Sequence, residues 1–217
     1  MALLQYISQP VTAFAQNCSI IWCDQSRKAA VIDPGGDIDL LLPIIDKHNL
    51  HVEKILLTHG HMDHVGGVAE LKKHQPVPVI GPHEADNFWI QGLDMQAKMM
   101  GFGPVQGFTP DQWLNHGDKI SVGEQCLCVI HCPGHTPGHV VFYSESRRLA
   151  FVGDVLFKGS IGRTDFPLGN HEQLLSSIRQ GLFPLGDDVR FVPGHGPEST
   201  FGQERLSNPF VADSRYG

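Results

Sequence analysis

The sequence predicts an α+β fold of two mixed sheets packed together and flanked by helices. Three observations predict it: about ten short β-like runs, two longer segments of helical periodicity, and Gly and Pro at the joints between them. Ten strands are more than one flat sheet would comfortably use, and strand runs at both ends with helices between suit two stacked sheets. In chain order the strand candidates are 3–7, 18–23, 29–32, 54–57, 77–80, 119–122, 126–130, 140–143, 149–152 and 189–192. The helical pattern at 37–48 rests on Ile38, Leu41, Leu42 and Ile45, and that at 172–182 on Leu174, Leu175, Ile178 and Leu182.

At 217 residues, 41% hydrophobic and 18% charged, the composition suits a single domain over 1–217 with a sizeable core. Repeats, low-complexity tracts and Ser/Gly linkers are missing from it. Residues 82–114 stand apart, rich in aromatics and Met (Phe88, Trp89, Met95, Met99, Met100, Phe102, Phe108, Trp113). They read as a helical insertion packed on the core or, functionally, as a lid beside a site.

The formal charge of −7 disfavours nucleic acid and anionic membrane as partners, since both need a basic face. Five cysteines without a Cys-x-x-Cys pair suit reduced thiols rather than a disulfide framework. Ala13-Phe14-Ala15 mimics a signal-peptidase site, but no Lys or Arg precedes Arg27 and no apolar stretch approaches eighteen residues, so the expectation is a cytoplasmic protein. No heptad or apolar interface stripe points to an oligomer. The excess is in histidine, with thirteen beside sixteen Lys and Arg. Histidine is the commonest metal ligand.

Thr58-His59-Gly60-His61-Met62-Asp63-His64 follows an apolar strand and packs four donors into six residues. His59 and His61 would point about 200° apart on a helix, so the segment must turn, and Gly60 permits the turn. Without a cation, donors this close would repel and desolvate one another. Three later segments repeat one pattern of apolar strand, glycine and donor: Gly134-His135, Gly153-Asp154 and Gly194-His195. Strand exits are rigid, as a metal site requires. Five His and two Asp exceed the needs of one tetrahedral zinc and suit two ions sharing Asp154 and a water. His139 starts a strand and reads as a strand-edge residue, with a place behind the ligands as the alternative; His131 reads as facing away from the site, and His48, His51, His74, His83, His116 and His171 as surface. There is no His-Glu-x-x-His, no Gly-x-Ser-x-Gly, and 101–106 is not a dinucleotide fingerprint.

These motifs resemble the metallo-β-lactamase superfamily: Thr58–His64 is similar to its signature loop, and 133–139, Gly153-Asp154 and 193–196 to its later ligand segments. The resemblance implies an αββα sandwich, a first metal held by His59, His61 and His135, a second by Asp63, His64 and His195, and Asp154 bridging. Within the superfamily, 151–157 followed by Gly162-Arg163 resembles glyoxalase II, the hydroxyacylglutathione hydrolase, in its compact bacterial form. That resemblance implies hydrolysis of S-D-lactoylglutathione to D-lactate and glutathione, with Arg163 contacting the glutathione part. Larger members complete the glutathione site with a C-terminal helical domain, whereas 22 residues follow His195 here.

The chemistry agrees with a thioester. A metal-bound water has its pKa lowered to about 7, so a bridging hydroxide, held through Asp63 and Asp154, is available as nucleophile. A leaving thiol of pKa about 8.5 needs little help from an acid. Two zinc ions are expected, and this donor set also accepts iron or manganese. The alternative is a mononuclear iron persulfide dioxygenase acting on glutathione persulfide, which 162–166 also resembles and which would use His59, His135 and Asp154.

Overall fold

A computed structural model describes residues 2–215. Its first five strands are β1 (Leu4–Val11), β2 (Gln16–Cys23), β3 (Lys28–Ile32), β4 (His51–Leu56) and β5 (Val79–Ile80). They lie in one sheet in sequence order. Pairing is antiparallel from β1 to β3 and parallel from β3 to β5, so the sheet is mixed. The second group is β6 (Lys119–Val122), β7 (Gln125–His131), β8 (Val140–Ser144) and β9 (Leu149–Gly153), followed by β10 (Leu156–Phe157), β11 (Ser160–Ile161), β12 (Arg190–Pro193) and β13 (Ser199–Thr200). Here the order is β13-β12-β9-β8-β7-β6, with β12 parallel to β9, and β10–β11 forms a separate ribbon.

Among the described residues seven α-helices flank the sheets: α1 (Ile38–Lys47), α2 (Met62–Val65), α3 (Val68–His74), α4 (Asn87–Gln91), α5 (Leu93–Met100), α6 (His171–Ser176) and α7 (Phe201–Ser207). Alternation along each strand sends neighbouring side chains to opposite faces. Ile21, Ala30, Ile32 and Leu56 therefore meet Leu127, Val129, Phe142 and Phe151 between the sheets. Ile20, Val31 and Ile55 pack under α1, α3 and α5 on one outside, and Val141, Ala150 and Val152 under α6 and α7 on the other. Three apolar layers make the predicted αββα sandwich.

All ten predicted runs are strands, with ends shifted by up to four residues. The 172–182 pattern begins at His171 and changes to a π-helical turn over Ser177–Leu182, where Ser177 Oγ donates to Pro133 O at 2.7 Å. In the 82–114 segment the helices stop at Met100, where Gly101 takes φ 75°, and the chain beyond it is irregular. Among the described residues, no helix is long and apolar enough to cross a membrane.

Candidate metal centre

The site lies where strand exits from both sheets meet. After β4 the chain passes through buried Leu57 and turns at Thr58, whose N–H and Oγ1 both donate to Asp33 at the end of β3 (2.7 and 2.5 Å). That clamp aims His59 and His61 inward before α2 presents Asp63 and His64. From the other sheet, β7 leads to His135, β9 to Asp154 and β12 to His195. Backbone approach here is close enough to need glycine. A Cβ on Gly153, at φ 49°, would lie 2.6 Å from Thr58 Oγ1 and 2.7 Å from His139 Nε2, and one on Gly194 would overlap Asp154 Oδ1.

His61 Nδ1 lies 3.1 Å from His59 Nε2 and 3.0 Å from His135 Nε2. A tetrahedral ion with nitrogen ligands at about 2.0–2.1 Å separates them by about 3.3 Å, close to the spacing found. Asp63, His64 and His195 form a second convergent group. His195 Nε2 is 3.1 Å and His64 Nε2 3.8 Å from Asp63 Oδ2. Asp154 joins the two, with Oδ2 3.6 Å from His135 Nε2 and 3.7 Å from His195 Nε2, and Oδ1 3.3 Å from His64 Nε2. His64 Nε2 and Asp154 Oδ1 are buried without a hydrogen-bond partner among the described residues. Buried polar atoms are rarely left so, and a cation between the triads would satisfy both.

The surrounding bonds fix which ring nitrogen is available. His64 Nδ1 donates to Asp33 Oδ2 (2.9 Å), His135 Nδ1 to Arg163 O (2.7 Å) and His195 Nδ1 to Phe14 O (3.0 Å), leaving each Nε2 to the site. Burial, reinforced by neighbouring histidines, holds His59 well below its ordinary pKa and His61 at about 3, and burial also lowers His135. All three thus carry the neutral nitrogen that a metal needs. At His64 burial is outweighed by Asp154 and Asp63, which raise it, and at His195 by the bond to Asp63. Burial opposes ionisation of Asp154, but His64 and His135 hold it ionised.

All seven predicted donors come together. Arg163 lies beside them: its carbonyl holds His135, and its exposed guanidinium pairs with Asp165 at 2.8 Å and sits 4.6 Å above the Phe166 ring. His139 corrects the expectation of a strand-edge residue. It is fully buried, stacks on His59 at 4.6 Å and accepts the Asp154 N–H at Nε2 (3.0 Å). The strand that it precedes lies inside the sheet, so its ring sits beneath the site.

Four supports, one of them a pair of aromatic rings, lie outside the donor set. Asp33 follows the same strand-then-donor pattern as the ligands, a signal that could have found it. Asn17 Nδ2 donates to Pro193 O and Gly196 O on either side of His195 (3.0 and 2.9 Å). Trp89 and Phe166 pack edge-to-face on His61 at 4.5 and 4.8 Å and wall that side. Asp86, fully buried, binds two ligand loops. The last three act from distant segments and leave no local pattern.

Residues 11–195 match the model of the metallo-β-lactamase superfamily, and the chain belongs to that superfamily. A hydroxyacylglutathione hydrolase GloC of Haemophilus influenzae is 48% identical over 203 residues, spanning 93% of this chain and 95% of the relative. Among solved structures, the BLEG-1 B3 metallo-beta-lactamase superposes with TM-score 0.87 at 34% identity, covering 95% of this chain and 99% of that one. TTHA1623 in a di-iron-bound form gives 0.86 at 35% identity, covering 94% and 100%. The chain is a metallohydrolase of this class.

Proposed function

We propose that this enzyme hydrolyses glutathione thioesters, converting S-D-lactoylglutathione and water to D-lactate and glutathione. The observation that carries the reading is the pair of triads sharing Asp154, a donor set for two ions, together with the 48% identity to a relative named for this reaction. Two divalent ions, zinc being the expected pair, supply a Lewis-acidic centre that polarises a thioester carbonyl and makes water a nucleophile near neutral pH. The chain supplies the rest. His59, His61 and His135 form one seat, and Asp63, His64 and His195 the other. Asp154 keeps the seats in register, since its Oδ2 faces both His135 and His195.

Asp63 Oδ2, within hydrogen-bond reach of His195 and 14% exposed, is the carboxylate placed to orient the incoming water. Trp89 and Phe166 keep bulk water from the His61 side, and Arg163, exposed at the rim, receives a glutathione carboxylate. The departing thiolate is stable enough to leave without a proton from the protein. Asp63→Ala is expected to lower both second-site occupancy and turnover, read by metal analysis and a thioester assay. Unchanged activity would show that one ion suffices. The competing persulfide dioxygenase needs one iron on His59, His135 and Asp154 and has no use for the second triad. An oxygen electrode with glutathione persulfide separates the two readings.

A further inference from the structure

We propose that Asp86 is a positioning residue for the first metal seat, so that the 82–114 segment builds that seat rather than merely covering it. The proposal rests on the reading of His59, His61 and His135 as metal ligands, and not on the identity of the substrate.

Asp86 is 0% exposed and lies in a one-turn 3-10 helix just before α4. It faces two loops from different sheets. Gly60 N–H, between His59 and His61, donates to Oδ2 at 2.9 Å, and Thr136 Oγ1, next to His135, donates to the same oxygen at 2.8 Å. Gly138 N–H, next to His139, donates to Oδ1 at 2.6 Å. One carboxylate therefore joins the loop carrying two ligands of the first seat to the loop carrying the third.

Packing points the same way. A Cβ on Gly60 would lie 3.1 Å from Asp86 O, and one on Gly138 2.7 Å from Asp86 Oδ1. Both loops thus pack closely against Asp86, and a side chain on Gly138 would collide with it. None of its partners belongs to the Asp63, His64 and His195 group. A carboxylate suits the task because every partner is a donor, and a buried carboxylate can accept all three. An amide at this position turns one acceptor oxygen into a donor facing Gly60 or Gly138.

The test is zinc affinity, measured by chelator competition on the full chain. Asp86→Asn is placed in two backgrounds: Asp63→Ala, which leaves the first seat, and His61→Ala, which retains the second. His195→Ala with His135→Ala leaves neither triad whole and serves as the blank. Outer partners of metal ligands typically change affinity by about 10–100-fold. The expected result is a loss of that order with Asp63→Ala and an unchanged affinity with His61→Ala. Equal losses in both backgrounds, or none in the first, would overturn the proposal. Should Asp86→Asn fail to fold, Thr136→Val removes one donor at nearly constant shape, and it is expected to weaken the first seat alone. If Asp63→Ala with Asp86 intact binds no more zinc than the blank, the ligand reading itself fails and this inference with it.

Discussion

His139 shows how a residue outside the donor set decides its geometry. The imidazole of His139 accepts the Asp154 N–H and stacks on His59, so it touches the backbone of one candidate donor and the ring of another. Phenylalanine at this position keeps a ring but leaves the Asp154 N–H unpaired. A buried unpaired donor costs about 1–3 kcal/mol. His139→Phe is therefore expected to lower stability by that amount and to weaken zinc binding, read by denaturant unfolding and chelator competition. Wild-type values in both would remove His139 from the account. The donors themselves were legible because four crowd into 59–64 and three follow a strand and a glycine, at His135, Asp154 and His195. His139 fits the same pattern poorly, being followed rather than preceded by a strand. Asp86 is invisible in sequence because its three bonds go to backbone and hydroxyl groups at least 26 positions away.

Ten strands and the helices with a long apolar stripe were legible, whereas β10, β11, β13 and α7 were not. β10, β11 and β13 have two residues each, too few for a period to appear, and they form because neighbouring backbone is already in place. In β4, Ile55 and Leu56 face opposite apolar layers and both are fully buried. Leu56→Ala opens a cavity between the sheets and is expected to cost about 2–5 kcal/mol. On α5 the opposite holds: Leu93 and Ala97 are buried while Met99 is 82% exposed. Met99→Lys should shift stability by no more than about 0.5 kcal/mol. Comparable losses from the two substitutions would contradict the packing described.

On the scale of the whole molecule, the αββα layers place the metal seats along one edge of the sandwich, where exits of β4 from one sheet and β7, β9 and β12 from the other converge. A metal held by the proposed donors would tie the two sheets together at that edge. Whatever binds only the folded chain stabilises it, by about 2.7 kcal/mol at a hundredfold excess over Kd. Stripping metal with a chelator should lower Tm, and adding zinc back should restore it; an unchanged Tm would mean that the seats are not filled in the folded protein. The two-sheet architecture was readable from the count and spacing of apolar runs. The convergence of seven donors was read from the donor motifs and the family resemblance instead, because strand order is not encoded in periodicity.

The proposed function requires the two triads to act together on a glutathione thioester. Its most direct test is metal content and turnover measured on one preparation. The account predicts two divalent ions per chain, release of D-lactate and glutathione from S-D-lactoylglutathione, and no oxygen uptake with glutathione persulfide. One iron per chain with oxygen consumed on the persulfide, or no thioester turnover by the fully metallated protein, would contradict it.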